Sequence, residues 1–142
     1  MRVDVLIICG VWEEYEMPSK TVLSVGQCRP DNAAITHFLT SNFDVEVLAT
    51  NLADDSLTAL QENTVDLILI NRKLDADYSD GMAIMKLVRN SPQTEQIPVM
   101  LISNFPESQE QAVAAGATYG FGKAELSSPE TIERVKGALG LA

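Results

Sequence analysis

The chain is expected to fold as one doubly wound α/β domain, and three features of the sequence point there. Leu67 to Ile70 is an uninterrupted apolar run that stops at Asn71, and Pro98 to Ile102 is a second one that stops at Ser103-Asn104. Runs without alternation suit strands covered on both faces, as at the centre of a parallel sheet. Around them, short strand patterns alternate with amphipathic helical patterns along most of the chain, which implies right-handed βαβ crossovers. In such sheets ligands and chemistry gather at the carboxyl edge of the strands. Asn71, at the end of the central strand, is therefore the residue on which function turns.

The elements follow in order. Val3 to Cys9 reads as a strand, and Gly10 to Lys20, with Glu13, Glu14, Glu16 and Pro18, reads as a loop. Residues 1–20 are set apart as an N-terminal extension before a domain of residues 21–142. The extension's strand is too apolar to be left in water, so it is expected to dock at a sheet edge or across a homodimer. Thr21 to Val25 is the next strand, running into Gly26-Gln27-Cys28-Arg29-Pro30. Asp31 or Asn32 caps a helix with Ala34, Ile35, Phe38 and Leu39 on its apolar face. Val45, Val47 and Ala49 alternate with more polar neighbours, as on an edge strand, and Asp54-Asp55 opens a short helix with Leu57 and Leu60. After the central strand come a polar loop with Asp75, Asp77 and Asp80, and a helix with Ile84, Met85, Leu87 and Val88. Glu107 to Ala115 is a helix stopped by Gly116. Tyr119 to Gly122 is the last strand and ends at Lys123. Ser127 to Glu130 has capping-box spacing for a final helix whose stripe is Ile132, Val135, Ala138 and Leu139.

Composition narrows the function classes. With 142 residues, a domain of this kind buries roughly two-thirds of its unfolded surface. A net charge of −10 with ten scattered Lys and Arg argues against nucleic-acid and anionic-membrane partners. Cys9 and Cys28 have no CxxC spacing, and read as buried free thiols in a reducing compartment. There is no spanning run and no export signal, so a cytoplasmic location is expected. No paired acid and base or nucleophile and base stands at the strand ends, so no enzyme is expected.

In order along the chain, Thr-Val-Leu-Ser-Val (21–25), Val-Asp-Leu-Ile-Leu-Ile (65–70), Asp-Gly-Met-Ala-Ile-Met-Lys-Leu-Val-Arg (80–89), Ile-Pro-Val-Met-Leu-Ile-Ser (97–103) and Ala-Gly-Ala-Thr-Tyr-Gly-Phe-Gly-Lys (115–123) resemble the receiver domain of bacterial two-component response regulators. The resemblance covers Thr21 to Leu139 and implies a flavodoxin-like sheet of order 2-1-3-4-5, here with an additional N-terminal strand. It also implies a pocket in which an aspartate takes a phosphoryl group, an acidic pair binds Mg²⁺, and a hydroxyl and a lysine contact the phosphoryl oxygens.

Carried onto this chain, the acceptor position is Asn71, the acidic pair falls on Gly26 and Gln27, the hydroxyl is Ser103 and the lysine is Lys123. An amide is too weak a nucleophile for phosphoryl transfer. Mg²⁺ needs anionic oxygen ligands, which Gly26 and Gln27 do not supply. One extra residue before Pro30 lets the pair slip to Gln27 and Cys28, which are no better. With Lys123 alone the pocket is expected to be positive, so neither metal nor cofactor is expected. The position three before the lysine, where the family places a switch aromatic, is Gly120.

The reading is a pseudo-receiver that acts by contact with another signalling protein. The alternative is a receiver whose acceptor is displaced to Asp75 or Asp77 in the acidic loop bordering the pocket. Gly116 to Lys123 misses phosphate-loop spacing by one residue and has Ala124 where a hydroxyl is needed. Asp75 to Lys86 misses the calcium-loop positions of Gly and Glu. His37 reads as a partly exposed helix residue.

Overall fold

A computed structural model describes the backbone of residues 2–8, 10–17 and 20–141, and the side chains of Gly10 and residues 20–141. Strands β1 (Arg2–Ile8) and β2 (Val11–Met17) pair antiparallel in a two-stranded sheet of their own. Gly10, at φ +79°, stands in the two-residue connection between them. Two expectations are corrected here. The stretch after Gly10 is a strand, because Val11, Trp12 and Tyr15 favour extended backbone and the partner lies only one turn away. And β1 pairs with β2, not with an edge of the main sheet. Cys9 lies outside the described residues.

The main sheet has five parallel strands: β3 (Lys20–Val25), β4 (Val45–Thr50), β5 (Leu67–Asn71), β6 (Val99–Ile102) and β7 (Thr118–Phe121). Their order is β4-β3-β5-β6-β7, which is 2-1-3-4-5 counted within the sheet, with β4 and β7 at the edges. Helices α1 (Arg29–Asn42), α2 (Ala53–Glu62), α3 (Gly81–Arg89), α4 (Pro106–Ala114) and α5 (Pro129–Ala138) cover it.

Two apolar layers show the double winding. Leu23, Val25, Ile68, Ile70, Val99 and Leu101 face α2, α3 and α4, meeting Ile84, Met85, Val88 and Ala112. Val22, Leu67, Leu69, Met100 and Ile102 point the other way, to Ile35, Phe38 and Leu39 of α1 and Val135 and Leu139 of α5. Strand side chains alternate faces, so a strand buried on both sides must be apolar throughout.

Helix ends follow local chemistry, with two shifts from expectation. The N-cap of α1 is Cys28, since Pro30 sets the first turn and draws the start upstream of Asp31. The cap of α5 is Ser128, whose hydroxyl accepts from Glu130 N–H at 3.2 Å, not Ser127. Asp55 accepts from the N–H groups of Asn51 and Leu52 to open α2. Gly116, at φ +107°, ends α4 with bonds from Gly116 N–H to the Val113 carbonyl and from Ala117 N–H to the Ala112 carbonyl, a Schellman closure.

Candidate functional site

The carboxyl ends of β5, β6 and β7 open into a cleft of about 620 Å³ lined by Asn71, Ser103 and Lys123 among others. Three of the five expected pocket residues thus share one cavity. Asn71 is the last residue of β5, and its Nδ2 donates to the Gly26 carbonyl at 3.1 Å. Ser103 follows β6, and its hydroxyl accepts from Phe105 N–H at 3.2 Å. Lys123 opens a 3-10 turn, Lys123–Glu125, after β7. That turn is fixed by Asn104, whose Oδ1 accepts from Ala124 N–H at 3.1 Å.

The other two expected residues stand differently. Gly26 is at φ +76°, and a Cβ there would overlap Leu74 Cδ2 and lie 3.3 Å from Leu74 Cα. Leu74 is buried beneath it. The loop between β5 and α3 folds back on itself to put Leu74 there. Lys73 and Asp80 form an antiparallel bridge, and Leu74 N–H donates to the Ser79 carbonyl at 2.9 Å. Tyr78 takes a left-handed φ of +60° at the tip. Gln27 does not face the Asn71 cleft. It lines a separate polar pocket with Asn32 and Asp75, its Nε2 3.5 Å from the Val25 carbonyl and its buried Oε1 without a partner among the described residues.

The loop aspartates also separate. Asp75 belongs to the Gln27 pocket, while Asp77 lines a groove between α2 and α3. Only Asp80 lines the Asn71 cleft, and it caps α3 by accepting from Met82 N–H at 2.9 Å while pairing with Arg72 at 2.8 Å. Asp77 accepts from both the N–H and the hydroxyl of Ser79, which holds its carboxyl below the usual range. Among the described residues no group of three or more His, Cys, Asp and Glu side chains converges to hold a metal ion.

The charge of the cleft is not the one expected from Lys123 alone. Lys123 Nζ lies 2.7 Å from Asp31 Oδ2, a carboxylate from the first turn of α1 that sequence reasoning treated as a helix cap. The Lys123 ammonium, helped by the Cys28 thiol, holds the Asp31 carboxyl below its ordinary value. Cys28 is half-buried, not a fully buried thiol. Arg72 and Lys73 also line the cleft, so three cations meet Asp80 and Asp31. The cleft stays cationic by one charge, for a different reason. Two rings stand at its mouth, Tyr78 at 72% and Phe105 at 67% exposure, with Lys73 Nζ 5.6 Å from the Tyr78 centroid.

Two positioning residues went unrecognised in the sequence. Asn104 places Lys123, as above. Gln109 of α4 is buried, donates to the carbonyls of Leu101 at 2.9 Å and Ser103 at 3.1 Å, and accepts from Gly120 N–H at 2.8 Å. It thereby stitches β6 to β7 where their register shifts. A Cβ at Gly120 would overlap the Leu101 carbonyl, so close strand approach explains the missing aromatic there. A polar residue among Ser108, Glu110 and Gln111 gave no periodic signal that would single out Gln109.

The fold and the cleft at its carboxyl edge define a flavodoxin-like α/β domain of receiver type. Comparison with protein-family models and with curated proteins returns no match. Solved structures do match. The Francisella response regulator 1452 receiver domain superposes with a TM-score of 0.70 at 21% identity, over 86% of this chain and 98% of that one. The BeF3-activated N-terminal receiver domain of Klebsiella pneumoniae RstA gives 0.70 at 19%, over 84% and 98%. The chemotaxis response regulator CheY4 of Vibrio cholerae gives 0.62 at 22%, over 87% and 99%. At these identities the likeness establishes the receiver fold.

Proposed function

We propose that this chain is a pseudo-receiver: a signalling adaptor of bacterial two-component type that works by contact with another signalling protein, without phosphorylation and without catalytic turnover. The observation that carries the reading is the hydrogen bond from Asn71 Nδ2 to the Gly26 carbonyl. At the position where a receiver presents its nucleophile, this chain has an amide committed as a donor to its own backbone. The receiver fold supports the signalling class, and Ser103 and Lys123 at one cleft support the residue-by-residue correspondence. Lys123 is already engaged by Asp31, so the cleft has settled into an internally paired state. Partners in this reading are proteins, a second copy of the chain included. No helix of the described residues is long and apolar enough to cross a membrane, in keeping with the cytoplasmic location that the reading assigns.

The test is incubation with acetyl phosphate and Mg²⁺ followed by intact-mass analysis. No phosphoryl adduct is expected. A stoichiometric adduct overturns the reading, and its mapping to Asp75 or Asp77 would install the displaced-acceptor alternative.

A further inference from the structure

On the face of the sheet that carries α2 and α3, the two helices leave a groove of about 290 Å³. Its floor is Leu74 and Ile84, both buried. Its walls are Leu52, at the N-cap of α2, and Leu87 of α3, which remain 37% and 49% exposed. Large apolar side chains left in water on opposite walls of one groove mark an interaction surface more than a monomer's ordinary scatter does. Further along the same two helices a second depression lies between Leu57 and Leu60 of α2 and the segment Ser91 to Thr94. From Leu52 to Leu60 the helical rise is roughly 12 Å, close to the ~10.5 Å between residues i and i+7 of a helix.

The charge at this groove is one-sided. Asp54 and Asp77 line it, and among the described residues neither meets a lysine or arginine: the Asp54 carboxylate has no partner there and Asp77 bonds Ser79. Asp80, also lining it, has its cation in Arg72. The other cations of the adjoining elements, Lys73, Lys86 and Arg89, do not line the groove. The chain as a whole carries −10, so an approaching cationic segment is attracted from a distance and oriented on arrival.

We propose that the α2–α3 groove is the docking site for a basic amphipathic helix of the partner protein. One large apolar side chain seats between Leu52 and Leu87, a second about two turns on reaches Leu57 and Leu60, and Lys or Arg residues stand over Asp54 and Asp77. This is helix-in-groove recognition, with apolar anchors giving affinity and charge giving orientation. The assignment rests on the reading of the chain as an adaptor that works by contact.

The probe is a synthetic helical peptide of Leu and Lys with leucines at i, i+3 and i+7, titrated into the ¹⁵N-labelled full chain and followed by amide chemical shifts. Shifts are expected to concentrate at the start of α2, in the loop 74–80 and along α3, and a Leu/Glu counterpart should give none. Leu87→Ser keeps every charge and should weaken binding about ten-fold, as should Asp54→Asn, with the amide spectrum of each free variant showing that the fold is retained. Shifts spread over the acidic surface or centred on the Asn71 cleft overturn the proposal, and so does an unchanged affinity in Leu87→Ser. The acetyl phosphate experiment fails independently: an adduct there overturns the adaptor reading and leaves this map standing.

Discussion

The side chain of Leu74 occupies the space that a side chain on Gly26 would need. Gly26 sits at φ +76° with the Leu74 Cα 3.3 Å from where its Cβ would be, and Leu74 is buried in the layer that also holds Val25 and Ile70. In the proposed correspondence Gly26 takes the first position of the acidic pair, and what stands there is a glycine packed against a folded-back loop. Restoring a carboxylate there is a packing problem before it is an electrostatic one.

Gly26→Asp is therefore expected to lose about 2–4 kcal/mol of stability, from left-handed strain and overpacking together. Leu74→Ala alone should cost a similar amount by opening a cavity. The double change should cost clearly less than the sum, because each relieves the other's fault. Urea unfolding of the four proteins measures this, and additive losses would mean the two residues do not compete for one space.

Asn71→Asp removes the side-chain donor to the Gly26 carbonyl, which keeps its bond from Asp75 N–H at 3.0 Å, and sets a carboxylate against that carbonyl. A loss of about 1–3 kcal/mol is expected at neutral pH. The protonated carboxyl can donate to that carbonyl, which raises its folded pKa above the unfolded value. The mutant's stability should thus recover toward wild type below the unfolded value and fall away as pH rises through the folded one. Unfolding curves at about pH 4 and pH 7.5 decide it. A mutant equal to wild type at the higher pH would show that Lys123 has left Asp31 for the new carboxylate.

The Asp31 carboxyl is held low by Lys123 first and then by Cys28. Its ionised form therefore adds stability that is fully present above the unfolded carboxyl value near 4 and is lost as pH falls through the lower folded value. Wild type should exceed Asp31→Asn at pH 5–7, with the gap closing at about pH 3 and below. Asp77 shifts in the same direction through Ser79, so the mutant keeps part of the acid dependence. Denaturant midpoints across that range check the sign, and a pH-independent gap would refute the pairing.

Gln109→Leu should cost about 2–4 kcal/mol, since it strands two buried carbonyls and one N–H where β6 meets β7. Gln109→Glu should cost at least as much, because it buries an acceptor-only group against two carbonyls. Amide hydrogen exchange at Gly120 and Phe121 should accelerate in both variants. Unchanged protection there would remove Gln109 from its bridging role.

Some of this was legible in residue order and some was not. The apolar runs of β5 and β6 announced strands buried on both faces, and their arrest at Asn71 and Ser103 pointed to the carboxyl edge of the sheet, where a cleft opens. The charges around Glu13 and Glu16 concealed β2, because hairpin pairing outweighs the polarity of a single strand. Gln27 stood next to Gly26 in the chain and yet faces another pocket. Asp31 read as a cap, since nothing local connects it to a lysine 92 positions later.

What the sequence alone determined is what is carried by period and by residue type. That covers the alternation of strand and helix, the two-sided burial of the central strands and the absence of a carboxylate at position 71. What only the tertiary structure decided is which side chains meet: Leu74 with Gly26, Asp31 with Lys123, Gln109 with Gly120. Those pairings depend on chain reversals that bring distant residues within a few ångströms. Local propensity carries no record of them, because their energy exists only once the sheet and its loops are closed.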